Sequence, residues 1–295
     1  LNKAIIKTKT SGGIYKMAKK TVNTYREAKK NGEKVTMITA YDYSTAKLEE
    51  EAGIDSILVG DSLGNVVLGY PDTVSVTMED MIHHSHAVAA GAPNTLVICD
   101  MPFMSYQTSV YDAVVNAGRL MKEGRANAVK LEGGKSVCPA IKAMVESGIP
   151  VCAHLGLTPQ SINAFGGYHS QGKTLDTAKR LIEDSYAVQE AGAFALVLEC
   201  VPADLATLIT KKLKETVTIG IGAGNGTDGQ VLVYADMLNM FSDYKPKFVK
   251  HFANVGEEMR KGFRGYIDEV KSASYPAPEH TYKIDPEIIE AVKDM

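Results

Sequence analysis

Short apolar runs recur along the chain, and each closes on a polar or charged residue. In Ile57-Leu58-Val59-Gly60-Asp61-Ser62-Leu63-Gly64 a β-branched stretch ends in an acid, a hydroxyl and a glycine turn. Thr95-Leu96-Val97-Ile98 leads to Cys99-Asp100, and Ala128-Val129-Lys130-Leu131 leads to Glu132. Pro150-Val151-Cys152-Ala153 leads to His154, and Phe194 through Leu198 leads to Glu199. A continuous apolar run of this length is the pattern of a parallel strand buried on both faces. Further strands are expected over 35–42, 217–221 and, more weakly, 231–240. Between them, helical patterns run over about 21–30, 44–52, 78–90, 110–123, 175–191 and 203–214, many stopped by glycine or proline. A further helix is expected after Gly133-Gly134 and ends near Gly148, while 65–77 and 156–173 read as long loops. Strand and helix alternate about eight times, which argues for a parallel sheet with helical crossovers. Polar residues at every strand end favour a closed (β/α)8 TIM barrel over an open doubly wound sheet, which gives the same local signals.

Length and composition agree with that reading. A chain of 295 residues lies in the range of one such barrel. The expected organisation is a leader over 1–16, a single barrel domain with C-terminal helices over 17–282, and a tail over 283–295. The leader reads as non-native because Met17-Ala18-Lys19-Lys20 looks like a start and nothing before it has a signal-peptide layout. A net charge of −3 gives no electrostatic case for nucleic acid or an anionic membrane. No apolar run approaches the ~20 residues of a membrane span. Four cysteines without a CxxC pair, three of them in expected strands, read as reduced thiols of a cytoplasmic protein.

Side chains two apart on a strand share a face, so Lys130 and Glu132 point the same way, at the barrel mouth. By the same parity Asp61 is expected on the face of Ile57 and Val59, and Asp100 on that of Ile98. Cys99 and Cys200 then face the helical layer. Asp61, Asp100 and Glu132 form a cluster of hard oxygen ligands that repel one another unless a cation or protons intervene, a donor set suited to Mg2+. Each acid taken singly serves equally well as a cap for the turn that follows it. Glu199, after an apolar run, is expected in a dry setting suited to a general base. His154 is either a site residue or an ordinary polar strand end. The glycines of Gly220-Ile221-Gly222-Ala223-Gly224-Asn225-Gly226 can cradle an anion or simply permit tight turns. His83, His84 and His86 share a helix and read as surface or interface residues.

Taken together, the motifs resemble the ketopantoate hydroxymethyltransferase family. They include the segments 39–44, Val59 through Gly64, Asp100-Met101-Pro102-Phe103, Val129 through Gly134, His154 through Ser161, 165–168, Leu198 through Pro202, and 219–230. They run in order from about Met17 to His280. The resemblance implies a barrel of the phosphoenolpyruvate/pyruvate superfamily, Mg2+ dependence and a cytoplasmic homodecamer. It implies Asp61, Asp100 and Glu132 as metal residues, and Asp61, Ser62, Asp100 and Lys130 as keto-acid contacts, with His154 near the substrate. Glu199 falls on the family's proton acceptor. The implied substrates are 3-methyl-2-oxobutanoate and 5,10-methylenetetrahydrofolate, although no folate motif is legible in the spacing. A related Mg2+-dependent 2-oxo-acid lyase or mutase, or a non-catalytic ligand-binding barrel, are the other readings of the same residues.

Overall fold

A computed structural model describes residues 8–9, 15–16, 18–167, 171–241 and 246–295. Eight parallel strands close into a barrel: β1 (Val35–Thr39), β2 (Ser56–Val59), β3 (Leu96–Asp100), β4 (Ala128–Glu132), β5 (Val151–Gly156), β6 (Ala195–Glu199), β7 (Val217–Ile221) and β8 (Gly229–Leu232). Each strand pairs with its neighbours in sequence, and β8 pairs with β1 to complete the ring. The (β/α)8 barrel expected from the alternation is therefore the fold.

Two apolar layers explain why the strands read as unbroken hydrophobic runs. Met37, Leu58, Ile98, Ala128, Cys152, Val197 and Ile219 belong to one buried cluster and fill the barrel. Ile57, Val59, Val97, Cys99, Val129, Leu131 and Leu198 belong to a second, which packs with the helices. Helix α1 (Val22–Asn31), capped by Thr21 and ended by the left-handed Gly32, contributes Tyr25 to the inner cluster. The Tyr25 hydroxyl meets Ser56 Oγ at 2.5 Å, and its ring packs edge-on against Phe194 at 5.6 Å. Both partners stand at the start of their strands, so this end of the barrel is plugged. Polar groups are left for the other end, where the strands finish.

Two expectations change. The eighth strand ends at Leu232, and a short helix, Tyr234–Met237, occupies what the sequence suggested was its continuation. Tyr234 N–H donates to Thr39 Oγ1 at 3.1 Å, which turns the chain out of the sheet there. The loop over 156–173 contains a turn of 3-10 helix, Pro159–Ser161, and the short helix Ile162–Phe165. The described residues group into two compact units, one running to Tyr234 and including 246–249, the other comprising 235–241 and 250–295. The second unit carries the helix Val255–Lys271. Within the leader expected over 1–16, only the backbone pairing of Thr8–Lys9 with Tyr15–Lys16 is described; the rest lies outside the described residues. Among those residues no helix is long and apolar enough to cross a membrane.

Candidate active site

Register carries the charged groups to one place. Asp100 is the register partner of Lys130 across β3 and β4, and Glu132 is that of His154 across β4 and β5. Each lies two residues on from an inward-facing position: Ile98, Ala128, Lys130 and Cys152 respectively. All four side chains are buried. Lys130 Nζ stands 3.0 Å from Asp100 Oδ1 and 3.3 Å from His154 Nδ1. His154 Nδ1 is 3.3 Å from Glu132 Oε1, and its Nε2 is 3.3 Å from Glu199 Oε2. The imidazole thus bridges the interior to the acid on the rim.

Asp61 arrives by a different route from the one parity suggests. Ile57 and Val59 face the helices, not the mouth, and β2 ends at Val59. The turn that follows swings Asp61 inward, where its N–H donates to Asp100 Oδ2 at 3.0 Å. A Cβ at Gly60 would lie 2.7 Å from Ser62 Oγ and would displace that hydroxyl. Ser62 Oγ is held 2.7 Å from the Tyr41 hydroxyl.

Charge and burial oppose each other here. Burial, then the charges of Asp100 and Glu132, pushes the Asp61 carboxyl well above its usual range. Burial also raises Asp100, with Lys130 pulling the other way. Burial works to neutralise Lys130, but Asp100, Glu132 and Asp61 outweigh it and hold the ammonium well above its usual value. For His154, burial and Lys130 favour the neutral ring, yet contacts with Glu132 and Glu199 prevail and lift it to about 9. Burial likewise disfavours the Glu132 carboxylate, and the hydrogen bond and charge of His154 reverse the balance, so its pKa falls.

The three-carboxylate cage is not preformed. Among the described residues, no three His, Cys, Asp or Glu side chains converge as ready metal ligands. Glu132 is engaged on both sides: Oε1 faces His154, and Oε2 accepts from the Gln160 N–H at 3.0 Å. Asp61 and Asp100 remain, joined by a backbone hydrogen bond. Asp100 Oδ1 lies near Lys130 but has no hydrogen bond of good geometry. Two buried carboxylates in this condition fit a hard divalent cation that keeps several waters. Glu199 is less dry than its apolar run suggested, with a side chain 17% exposed.

Other sequence candidates fall outside the cluster. Cys99 is buried toward the helices as expected, whereas Cys200 lies past the end of β6 with φ 51° and only half-buried, so strand parity does not govern it. Gly224 and Gly226 pack so closely on Ala203 and Thr207 that a Cβ would stand 2.5 and 1.9 Å from them. His84 Nδ1 lies 2.7 Å from the Tyr41 carbonyl, and His86 Nδ1 lies 3.2 Å from the Glu123 carbonyl. Sequence reasoning missed Tyr41, Tyr106 and Gln160. Gln160 and Tyr41 lie inside recognised motifs, and the run 100–103 stops just short of Tyr106.

The comparisons with known proteins converge. The model of the family described as ketopantoate hydroxymethyltransferase matches residues 19–278. Curated proteins named 3-methyl-2-oxobutanoate hydroxymethyltransferase include one from Clostridium novyi (strain NT), 66% identical over 92% of this chain and 98% of its own length. Another, from Enterococcus faecalis (strain ATCC 700802 / V583), is 64% identical over the same shares. Among solved structures, a phosphonopyruvate hydrolase complexed with oxalate and Mg2+ superposes with TM-score 0.57 at 14% identity, covering 93% of this chain and 95% of that one. A 2,3-dimethylmalate lyase of the PEP mutase/isocitrate lyase superfamily superposes with TM-score 0.55 at 16% identity, covering 92% and 94%. At these identities the structural likeness speaks for the fold.

Proposed function

Because this chain belongs to the ketopantoate hydroxymethyltransferase family, we propose that it joins a one-carbon unit from 5,10-methylenetetrahydrofolate to 3-methyl-2-oxobutanoate. With water as co-reactant the products are 2-dehydropantoate and tetrahydrofolate, in a step of pantothenate biosynthesis. The observation that carries the reading is the buried Lys130–Asp100 pair at 3.0 Å, with Glu199 reaching the same mouth through His154.

Asp61 and Asp100 are the residues that would hold Mg2+ directly, and Glu132, with both oxygens engaged, would reach it through water. A cation there would polarise the keto oxygen and make the C3 proton of the 2-oxo acid easier to remove. Lys130 adds a fixed positive charge beside the oxygen on which negative charge develops. Ser62, hydrogen-bonded to Tyr41, binds the substrate carboxylate in this reading. Glu199 takes the C3 proton, and His154 holds its carboxylate against the rim. The resulting carbon nucleophile attacks the one-carbon unit.

A cytoplasmic homodecamer completes the proposal. The unpaired cysteines support a reducing compartment. Met259, Phe263, Tyr266, Ile267 and Val270 form an exposed apolar stripe on Val255–Lys271, which supports self-association. Asp100→Asn tests the site without altering the assembly. Calorimetry should show Mg2+ and 3-methyl-2-oxobutanoate binding weakened together, while light scattering returns about ten chains for variant and wild type alike. Keto-acid affinity that is unchanged and indifferent to Mg2+ would contradict the site, and a fully active monomer would contradict the assembly.

A further inference from the structure

We infer that Gln160 is a positioning residue for the acidic cluster, its side-chain amide holding Asp61 and its backbone N–H holding Glu132, with Tyr106 fixing which end of the amide faces Asp61. The inference rests on the reading of Asp61 and Asp100 as cation ligands.

Gln160 belongs to the 3-10 turn after β5, outside the strands that supply the acids, yet it is only 4% exposed. Its Nε2 donates to Asp61 Oδ2 at 2.8 Å and to the Met101 carbonyl at 2.9 Å, so both amide hydrogens are used. Its Oε1 accepts from the Tyr106 hydroxyl at 2.6 Å. Its own N–H donates to Glu132 Oε2 at 3.0 Å. The Tyr106 oxygen in turn accepts from the Glu132 N–H at 3.1 Å.

These partners determine the amide's orientation. The Met101 carbonyl can only accept, so the NH2 end must face it, and Asp61 lies at that same end. A flipped amide would set oxygen against oxygen at both contacts. Tyr106 locks the other end, because burial, aided by the charge of Glu132, keeps its phenol protonated and able to donate. The Gln160 Nε2 donor aimed at Oδ2 pairs directly with the Asp61 side chain at 2.8 Å. It also fixes the plane of that carboxylate, so the other oxygen is presented in a set direction. Glutamate at 160 would supply an acceptor where a donor is needed, and methionine would supply neither.

Mn2+ alone is the probe, followed by electron paramagnetic resonance and calorimetry on full-length wild type, Asp100→Asn, Gln160→Met and Tyr106→Phe, with thermal unfolding alongside. Wild type should bind Mn2+ and Asp100→Asn should bind it much more weakly, a pair of results that tests the cation reading separately. Gln160→Met should then bind Mn2+ about 10- to 100-fold more weakly, the usual consequence of removing a group that orients a ligand. Tyr106→Phe should weaken it by a smaller factor, and the double variant should fall short of the product of the two, because they act in one network. In turnover the KM for 3-methyl-2-oxobutanoate should rise in Gln160→Met and return toward wild type at saturating metal; a purely structural defect would not be rescued that way. If Gln160→Met does not fold, weakened Mn2+ binding in folded Tyr106→Phe supports the inference, and wild-type affinity there overturns it. Wild-type affinity in folded Gln160→Met overturns it directly. Absence of Mn2+ binding to wild type overturns the cation reading and this inference with it.

Discussion

Glu199→Gln is expected to slow hydroxymethyl transfer about 10²–10⁴-fold, the contribution of a positioned general base, while Mg2+ and keto-acid binding stay near wild type. The amide keeps the shape and a polar tip but cannot take a proton. Its surroundings make a clean result attainable. Glu199 is partly exposed at the end of β6, and its approach to His154 Nε2 at 3.3 Å makes no hydrogen bond of good geometry for the amide to lose. The expected signature is a fall in kcat with little change in KM, as for an interaction made only in the transition state. Turnover at the wild-type rate would move the base elsewhere, and His154 is the next residue in reach.

Lys130→Met should damage stability as well as rate. Lys130 Nζ lies 3.0 Å from Asp100 Oδ1, and its charge also offsets those of Asp61 and Glu132 among buried side chains. Removing one partner of such a buried pair typically costs about 3–5 kcal/mol, because the other charge stays desolvated. Hydroxymethyl transfer should fall about 10²–10³-fold, comparable to the loss of a preorganised donor at a developing oxyanion. Urea unfolding and steady-state kinetics on the same preparation separate the two effects. A variant as stable as wild type would show that Asp100 is compensated by something other than Lys130.

The strand ends were legible because buried parallel strands leave little choice of residue. Apolar runs ending in Asp100, Glu132, His154 and Glu199 mark both the barrel and the mouth, and parity alone puts Lys130 beside Glu132. Asp61 was right in place and wrong in reason. Parity assumed that the strand continued through Gly60, whereas it stops at Val59 and a turn delivers the side chain. One-dimensional spacing likewise cannot reveal that His154 and the Gln160 N–H stand against the two oxygens of Glu132. Tyr41, Tyr106 and Gln160 went unassigned because they sit in loops, where no periodicity dictates direction. Their roles arise only once the barrel has closed and set 106 beside 160. Tyr234, which ends the eighth strand early, belongs with them, since its partner Thr39 is far away in sequence.

Exchange of the C3 proton tests the account most directly, because it isolates proton removal from one-carbon transfer. Wild-type protein in D2O with Mg2+ and 3-methyl-2-oxobutanoate, and no folate, should replace the C3 proton by deuterium, as followed by proton NMR. Folded, Mg2+-loaded protein that transfers the hydroxymethyl group with folate but leaves that proton untouched without it would contradict the roles given to Glu199 and Lys130.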